Sequence, residues 1–345
     1  MVMFLALLLS LYTPQARAES ALLEVERKTI ELYRTALPAV VNVSNIKVAR
    51  NLFHGTVEVP QGAGSGFVWD AQGHVVTNFH VVQGGDSFVV TFHNDPKKYQ
   101  ATLVGTEPKK DVAVLKLKEM PKTIHPIRVG VSKNLAVGQM TLAIGSPFGL
   151  DHSLTTGIVS ALGRKIDGIG GVKIHDMIQT DAAINMGNSG GPLLDSSGSL
   201  IGMNTVIFST SGSSAGLGFA VPVDTIKLVV PEIIQYGKVI RPALGISVLE
   251  DKYKERMNIR PDGGAVITYV DEASAAAKAG ITGMMQDRMG RVFIGDIIEA
   301  IDGKAVNNLD DIFHVLEEHK VGDTVTLKVY REGKVRNVKV RLQSL

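Results

Sequence analysis

The sequence predicts a mainly β protein in two domains, a glycine-rich barrel or sandwich body followed by a smaller domain mixing strands and helices. Length is the first ground, since 345 residues exceed what one hydrophobic core usually serves. Composition is the second: 36 glycines with only 6% aromatic residues suit many short strands joined by tight turns. Texture is the third, because apolar β-type runs broken by turn residues recur from Ala39 to about Val223.

The elements follow in order. Met1 to Leu11 is an apolar run too short to span a bilayer, and Ala16-Arg17-Ala18 is an A-x-A cleavage pattern, so residues 1–18 read as a signal peptide and the protein as exported. No Lys or Arg precedes that run, and a buried N-terminal helix is the alternative. Residues 19–38 form an N-terminal segment with a helix over 20–36 that stops at Pro38. Short strands fill 39–223, among them Val40–Val43, Gly66–Trp69, His74–Thr77, Phe88–Phe92, Val112–Leu115, Thr141–Ile144, Gly157–Leu162, Leu200–Ile207 and Gly218–Val221. At 224–239 the period changes to that of a connector helix, with Asp224 as cap, a kink or a break into two short helices at Pro231 and an end at Gly237. The last domain, 240–345, carries strands at 243–249, 264–270 and 295–301 and a short helix at 273–279. A second helix at 309–319 and a hairpin turning at Glu332-Gly333 complete it.

Bulk numbers exclude several classes of function. A formal charge of +2 with no basic stripe gives no reason to expect nucleic acid. The absence of cysteine removes a disulfide framework, a thiol nucleophile and a zinc–thiolate site together.

The strongest chemical signal is Gly187-Asn188-Ser189-Gly190-Gly191, where crowded glycines let a serine hydroxyl point outward while nearby amides face a common point. The same residues also occur in ordinary turns, the lesser reading of the segment taken alone. A serine nucleophile also needs a base within reach and a group to orient that base. Thr77-Asn78-Phe79-His80 sets a histidine directly after a β-type run, and Asp111 opens the run Val112–Leu115 with an acid. His80, Asp111 and Ser189 occur in the chain order of chymotrypsin-like enzymes, which excludes the orders of subtilisin and the α/β-hydrolases.

At these residues the chain resembles the HtrA/Deg family of trypsin-like serine proteases, and the likeness runs from residue 20 to 345. It is carried by Gly62–Val68, Thr77–Val82, Asp111–Lys116, Gly145–Leu150, Thr156–Ser160, Gln179–Ala182 and Gly218–Pro222 besides the serine segment. The resemblance implies a chymotrypsin-like double β-barrel followed by a PDZ α+β domain, with His80 as base, Asp111 as its orienting acid and Ser189 as nucleophile. It implies an oxyanion hole at Gly187, Asn188 and Ser189, switched by a flip of the Asn188 peptide. The specificity pocket falls on Ala183, Leu217, Gly218 and Phe219. Met186 stands where the family usually has proline. Arg241–Ile246 resembles a PDZ carboxylate loop, so Leu244, Gly245 and Ile246 would bind peptide C-termini. Leu309, Ile312, Phe313 and Leu316 would either line the groove or face the core. Unfolded polypeptides are the implied substrates, no cofactor or metal is implied, and assembly through the N-terminal segment as a homotrimer or larger is expected. A bacterial periplasm is the expected compartment and a plastid lumen the alternative; a non-cutting holdase of the same fold is the competing function.

Overall fold

The N-terminal helix α1 (Glu24–Ala36) opens where the Glu26 carboxylate accepts the Leu23 backbone N–H at 2.8 Å, and it gives way to one tight turn, Leu37–Ala39, at Pro38. The structure, a computed structural model, describes residues 22–344 except 52–54, 147–151, 168–172, 186, 206–215, 257–258 and 260–262. The expected signal segment, Met186 and part of the family-like segment 145–150 lie outside the described residues. No helix among the described residues is long and apolar enough to cross a membrane.

Two closed six-stranded barrels follow. Strands β1 (Val40–Asn51), β2 (Gly55–Val68), β3 (His74–Thr77), β4 (Ser87–Phe92), β5 (Lys98–Glu107) and β6 (Val112–Leu117) close in the order β1-β2-β3-β6-β5-β4. A one-turn helix α2 (Phe79–Val82) follows β3. Their alternating valines and leucines, including Val41, Val43, Val68, Val75, Val90 and Leu115, fill the interior. The second barrel uses β7 (Met140–Gly145), β8 (Ser153–Asp167), β9 (Lys173–Thr180), β10 (Pro192–Asp195), β11 (Leu200–Thr205) and β12 (Gly218–Pro222), closed as β10-β11-β12-β9-β8-β7. Ala143, Val159, Ile178, Leu193, Ile201 and Ala220 form its core.

Helix α3 (Val223–Tyr236) has Pro222, not Asp224, at its cap position, and it runs through Pro231 as one helix rather than two short ones. It packs on β5, β6, β11 and β12, so it clasps both barrels. Gly237 ends it with φ of 75°, as the sequence predicts. Asp224 sits in the first turn and accepts from the Ser132 backbone N–H (2.9 Å), the Ser132 hydroxyl (3.0 Å) and the Lys133 N–H (2.7 Å). Burial pushes its carboxyl up, but the donors Lys227, Ser132 and Lys133 outweigh this and hold it below the usual carboxylate range. A carboxyl depressed by folding contributes stability that is complete above its unfolded pKa and lost as pH falls through the lower folded value. The stability deficit of Asp224→Asn should therefore be full at neutral pH and shrink as pH falls below the ordinary aspartate range of about 4. Urea titrations across that range check it, and a deficit independent of pH would assign the effect to packing instead.

The chain divides into two compact units between Lys238 and Val239. The second unit has the short strands β13 (Pro242–Ala243), β16 (Met285–Gln286), β17 (Val292–Phe293) and β19 (Lys304–Ala305) and the helix α4 (Asp251–Arg256); its strands β14 (Ile246–Val248), β15 (Ala265–Val270), β18 (Ile297–Ile301), β20 (Thr324–Arg331) and β21 (Lys334–Arg341) form a sheet in the order β14-β15-β18-β20-β21, leaving β14 at one edge. The β20–β21 hairpin turns at Glu332 (φ 47°) and Gly333 (φ 82°), the two left-handed positions that a two-residue turn requires. Ser274 caps the short helix α5 (Ala275–Lys278), accepting the Ala277 N–H at 3.1 Å. Helix α6 (Leu309–Leu316) is capped by Asn308 and ends three residues before the expected 319. Its core face is Ile312, Val315 and Leu316; of the four residues named from the sequence, Leu309 and Phe313 are the half-buried pair.

Candidate active site

The short helix α2 presents His80 at the end of β3, and its geometry is set by an unusual backbone at Asp111. Asp111 closes the turn Pro108–Lys110 in the left-handed region (φ 54°, ψ 43°), a conformation that aspartate tolerates better than most residues. There its carbonyl accepts from the Phe79 N–H (3.2 Å) and the Asn78 side-chain amide (3.0 Å), locking α2 against β6. Its carboxylate accepts the His80 backbone N–H at 3.0 Å and faces His80 Nδ1 at 2.9 and 3.1 Å. Asp111 is 4% exposed, so a third donor matters: the Thr205 hydroxyl at the end of β11 reaches Oδ2 at 2.8 Å. Asn45 on β1 also serves this helix, donating to the carbonyls of Val81 and Gln83 at 3.0 and 3.1 Å.

Ser189 lies on the loop before β10, in the second barrel, and is 5% exposed. The loop is brought to the histidine side by β2. The Ser65 N–H donates to the Ser189 carbonyl at 2.7 Å, and Gly64 is wedged so tightly that a Cβ there would stand 2.7 Å from Val81 and 3.1 Å from the Ser189 carbonyl oxygen. Gly190 has φ of 83°, and a Cβ on it would meet the Ser65 carbonyl at 2.1 Å. Glycine is obligatory at both positions for space, and at Gly190 for conformation as well.

Two peptide planes around Asn188 are pinned. The Gly187 carbonyl accepts the Ser65 hydroxyl at 2.5 Å while the Asn188 N–H donates to the Asn185 carbonyl at 3.0 Å. The Asn188 carbonyl accepts the Gly191 N–H at 2.9 Å, which turns the Ser189 N–H the other way because a trans peptide sets its N–H opposite its C=O. A flip of either Asn188 peptide unit, as the sequence reading supposed, would break these bonds. The Asn188 side chain is tied to the Ala183 carbonyl at 3.2 Å.

Of the expected pocket residues, Ala183 is half-buried, and its carbonyl also accepts the Thr155 hydroxyl at 2.9 Å. Gly218 is buried, with Ile184 filling the space its side chain would take; a Cβ there would lie 2.6 Å from Ile184 Cγ1. Phe219 is buried opposite Thr205 on β11, whereas Leu217 is 58% exposed. Thr205, Asn45 and Ile184 were not singled out in the sequence. They are ordinary strand and turn residues by type, and only their distant partners give them a role.

In the second unit the Leu244 carbonyl accepts the Ala276 N–H and the Gly245 carbonyl accepts the Asp271 N–H. The N–H groups of Gly245 and Ile246, on the same two peptide planes, therefore point away from α5 and β15, toward the edge beside β14. Gly245 has φ of 77°, and a Cβ there would lie 2.3 Å from Ser274 Cβ. Among the described residues no cluster of His, Asp or Glu has metal-binding geometry.

Comparison with known proteins agrees with this architecture. The trypsin-like peptidase domain family matches residues 64–203, and the PDZ domain family matches residues 242–342. Protease Do-like 1, chloroplastic, of Arabidopsis thaliana is 46% identical over 92% of this chain and 72% of its own length. The periplasmic serine endoprotease DegP of Escherichia coli K12 is 39% identical over 81% of this chain and 56% of its own length. Among solved structures, the HtrA-type protease AlgW with a decapeptide superposes with a TM-score of 0.72 at 32% identity, covering 92% of this chain and 98% of that one. With a trypsin-like peptidase domain followed by a PDZ domain, and with these identities and coverages, the chain belongs to the HtrA family of trypsin-like serine proteases.

Proposed function

We propose that the protein is an exported endoprotease that hydrolyses unfolded or damaged polypeptides through an acyl-enzyme on Ser189. The carrying observation is the buried Asp111 carboxylate, which gathers His80 Nδ1, the His80 N–H and the Thr205 hydroxyl. With the carboxylate accepting, Nδ1 holds the proton and Nε2 is left to take the Ser189 proton and return it to the leaving amine. The imidazolium that forms is stabilised by Asp111. The N–H groups of Gly187 and Ser189 would receive the oxyanion. Labelling by a fluorophosphonate probe tests this reading, since only an activated serine reacts. An unlabelled but folded protein would instead support a holdase.

The second unit would hold a peptide C-terminus: its carboxylate on the N–H groups of Leu244, Gly245 and Ile246, its backbone as an added strand beside β14, its apolar side chain against Leu309 and Phe313. The N-terminal segment would support a homotrimer or larger assembly. Export suits either a periplasm or a plastid lumen, and the relatives' names include both kinds of compartment. Removing residues 240–345 should leave hydrolysis of a short peptide within about threefold and abolish binding of peptides with a free apolar C-terminus. Fluorescence anisotropy with such a peptide measures the second effect; unchanged affinity after truncation would dismiss the groove.

A further inference from the structure

Ser65 on β2 has no exposed surface, yet every one of its polar atoms is engaged. Its hydroxyl donates to the Gly187 carbonyl at 2.5 Å and accepts the Ser146 N–H at 2.7 Å. Its backbone N–H donates to the Ser189 carbonyl at 2.7 Å, and its carbonyl accepts the Thr77 hydroxyl at 2.7 Å. Directly across the β1–β2 register stands Asn42, also buried, whose amide donates to the carbonyls of Ser146 (2.9 Å) and Gly64 (3.2 Å). One small side chain of the first barrel thus holds the loop of the second that carries the nucleophile.

We infer that Ser65 is a positioning residue for the oxyanion-binding backbone, with Asn42 and Ser146 fixing its hydroxyl. The inference rests on the reading of Ser189 as nucleophile. A serine hydroxyl has one proton; with the Ser146 N–H filling an acceptor site, that proton is directed at the Gly187 carbonyl. Anchoring this oxygen fixes the whole plane that joins Gly187 to Asn188, and with it the starting direction of the chain into Ser189. Gly187 itself has φ of 104°, so without the anchor little in its own sterics would hold that plane in place. The site also dictates the residue. A Cβ on Gly191 would come within 3.2 Å of Ser65 Cβ, so the position is crowded, and serine is the smallest side chain that carries a hydroxyl. Alanine would fit but would strand a buried N–H and a half-buried carbonyl, and the Gly187 peptide, then held only by the Asn188 N–H on the Asn185 carbonyl, would be free to turn. That turn draws the oxyanion donors out of line and leaves substrate binding elsewhere untouched.

The test uses the full chain: wild type, Ser65→Ala, Ser65→Cys and Asn42→Ala. Each is assayed for kcat and KM on a quenched peptide, per active site as titrated with a fluorophosphonate. Affinity for a peptide boronate, whose tetrahedral adduct places an oxygen where the oxyanion forms, is measured alongside. Ser65→Ala should lower kcat about 30- to 300-fold with KM within about threefold, and boronate affinity should fall by a similar factor. Ser65→Cys, with a weak S–H donor, should fall between, and Asn42→Ala should lose about fivefold in the same two quantities. A Ser65→Ala enzyme that merely melts earlier, with per-site kcat and boronate affinity like wild type, would overturn the inference; so would a rise in KM at constant kcat. Should Ser65→Ala not fold, a Ser65→Cys enzyme with undiminished kcat decides against it equally. Hydrolysis surviving in Ser189→Ala would overturn the nucleophile reading and the inference with it, a result distinct from any of these.

Discussion

Ser189→Ala should reduce kcat by about 10⁴- to 10⁶-fold and leave the fold intact. Ser189 is 5% exposed, and its backbone, not its hydroxyl, makes the bond that holds the loop to Ser65, so alanine keeps that loop where it is. What disappears is the atom proposed to attack the scissile carbonyl. Asp111→Asn should cost about 10⁴-fold for a different reason. The carboxylate is surrounded by donors, namely the His80 N–H, His80 Nδ1 and the Thr205 hydroxyl. An amide in its place must turn an NH₂ toward one of them, and the relief at Nδ1 is the wrong imidazole tautomer. Because the three side chains act as one unit, double variants should be no slower than the slower single variant. Initial rates on a quenched peptide, with circular dichroism to confirm the fold, measure this. Losses that multiply would show that the residues act separately.

Cleavage should follow small or medium aliphatic residues and discriminate against Lys and Arg by about 10²- to 10⁴-fold in kcat/KM. Six residues before the nucleophile stands Ala183, which supplies no countercharge, and its carbonyl is already occupied by Thr155 and Asn188. Asp181, two residues earlier, is the only other acid close in sequence. Its carboxylate is spent on the Ile158 N–H at 2.6 Å, against β8, and the residue is exposed there. A lysine or arginine entering this site would shed hydration with no ion pair in return, a penalty of several kcal/mol. Sequencing the products of an unfolded protein gives the answer. Cuts concentrated after basic residues would place an acid in the pocket and refute the assignment of Ala183.

The residues that were legible in the sequence are those whose role shows in local pattern. Short apolar runs marked most of the barrel strands, and Gly237 and Gly333 are turn residues whose backbone follows their chemistry. His80, Asp111 and Ser189 stood out because each breaks a pattern, at the close of a strand, at the opening of one, or amid glycines. The misses share a cause as well. Asp224 has the type of a cap but is claimed by Ser132 and Lys133, some ninety residues away. Val315 is on the core face of α6, where the spacing chosen from sequence was rotated by one position toward Phe313. Thr205, Asn42 and Ser65 read as plain strand residues because their partners come from elsewhere in the chain, and period-2 alternation records only which face a side chain takes.

The hydroxyl bond from Thr205 to Asp111 joins the last strand positions of one barrel to the acid of the other. In the proposed mechanism base and nucleophile thus come from different barrels of one compact unit, and competence depends on how the two barrels are seated. A shift of about 1 Å between the barrels would silence the enzyme while each stayed closed on itself, since catalysis tolerates misplacement far less than packing does. Recovery from such a shift would call for reseating two closed barrels and for no refolding of either.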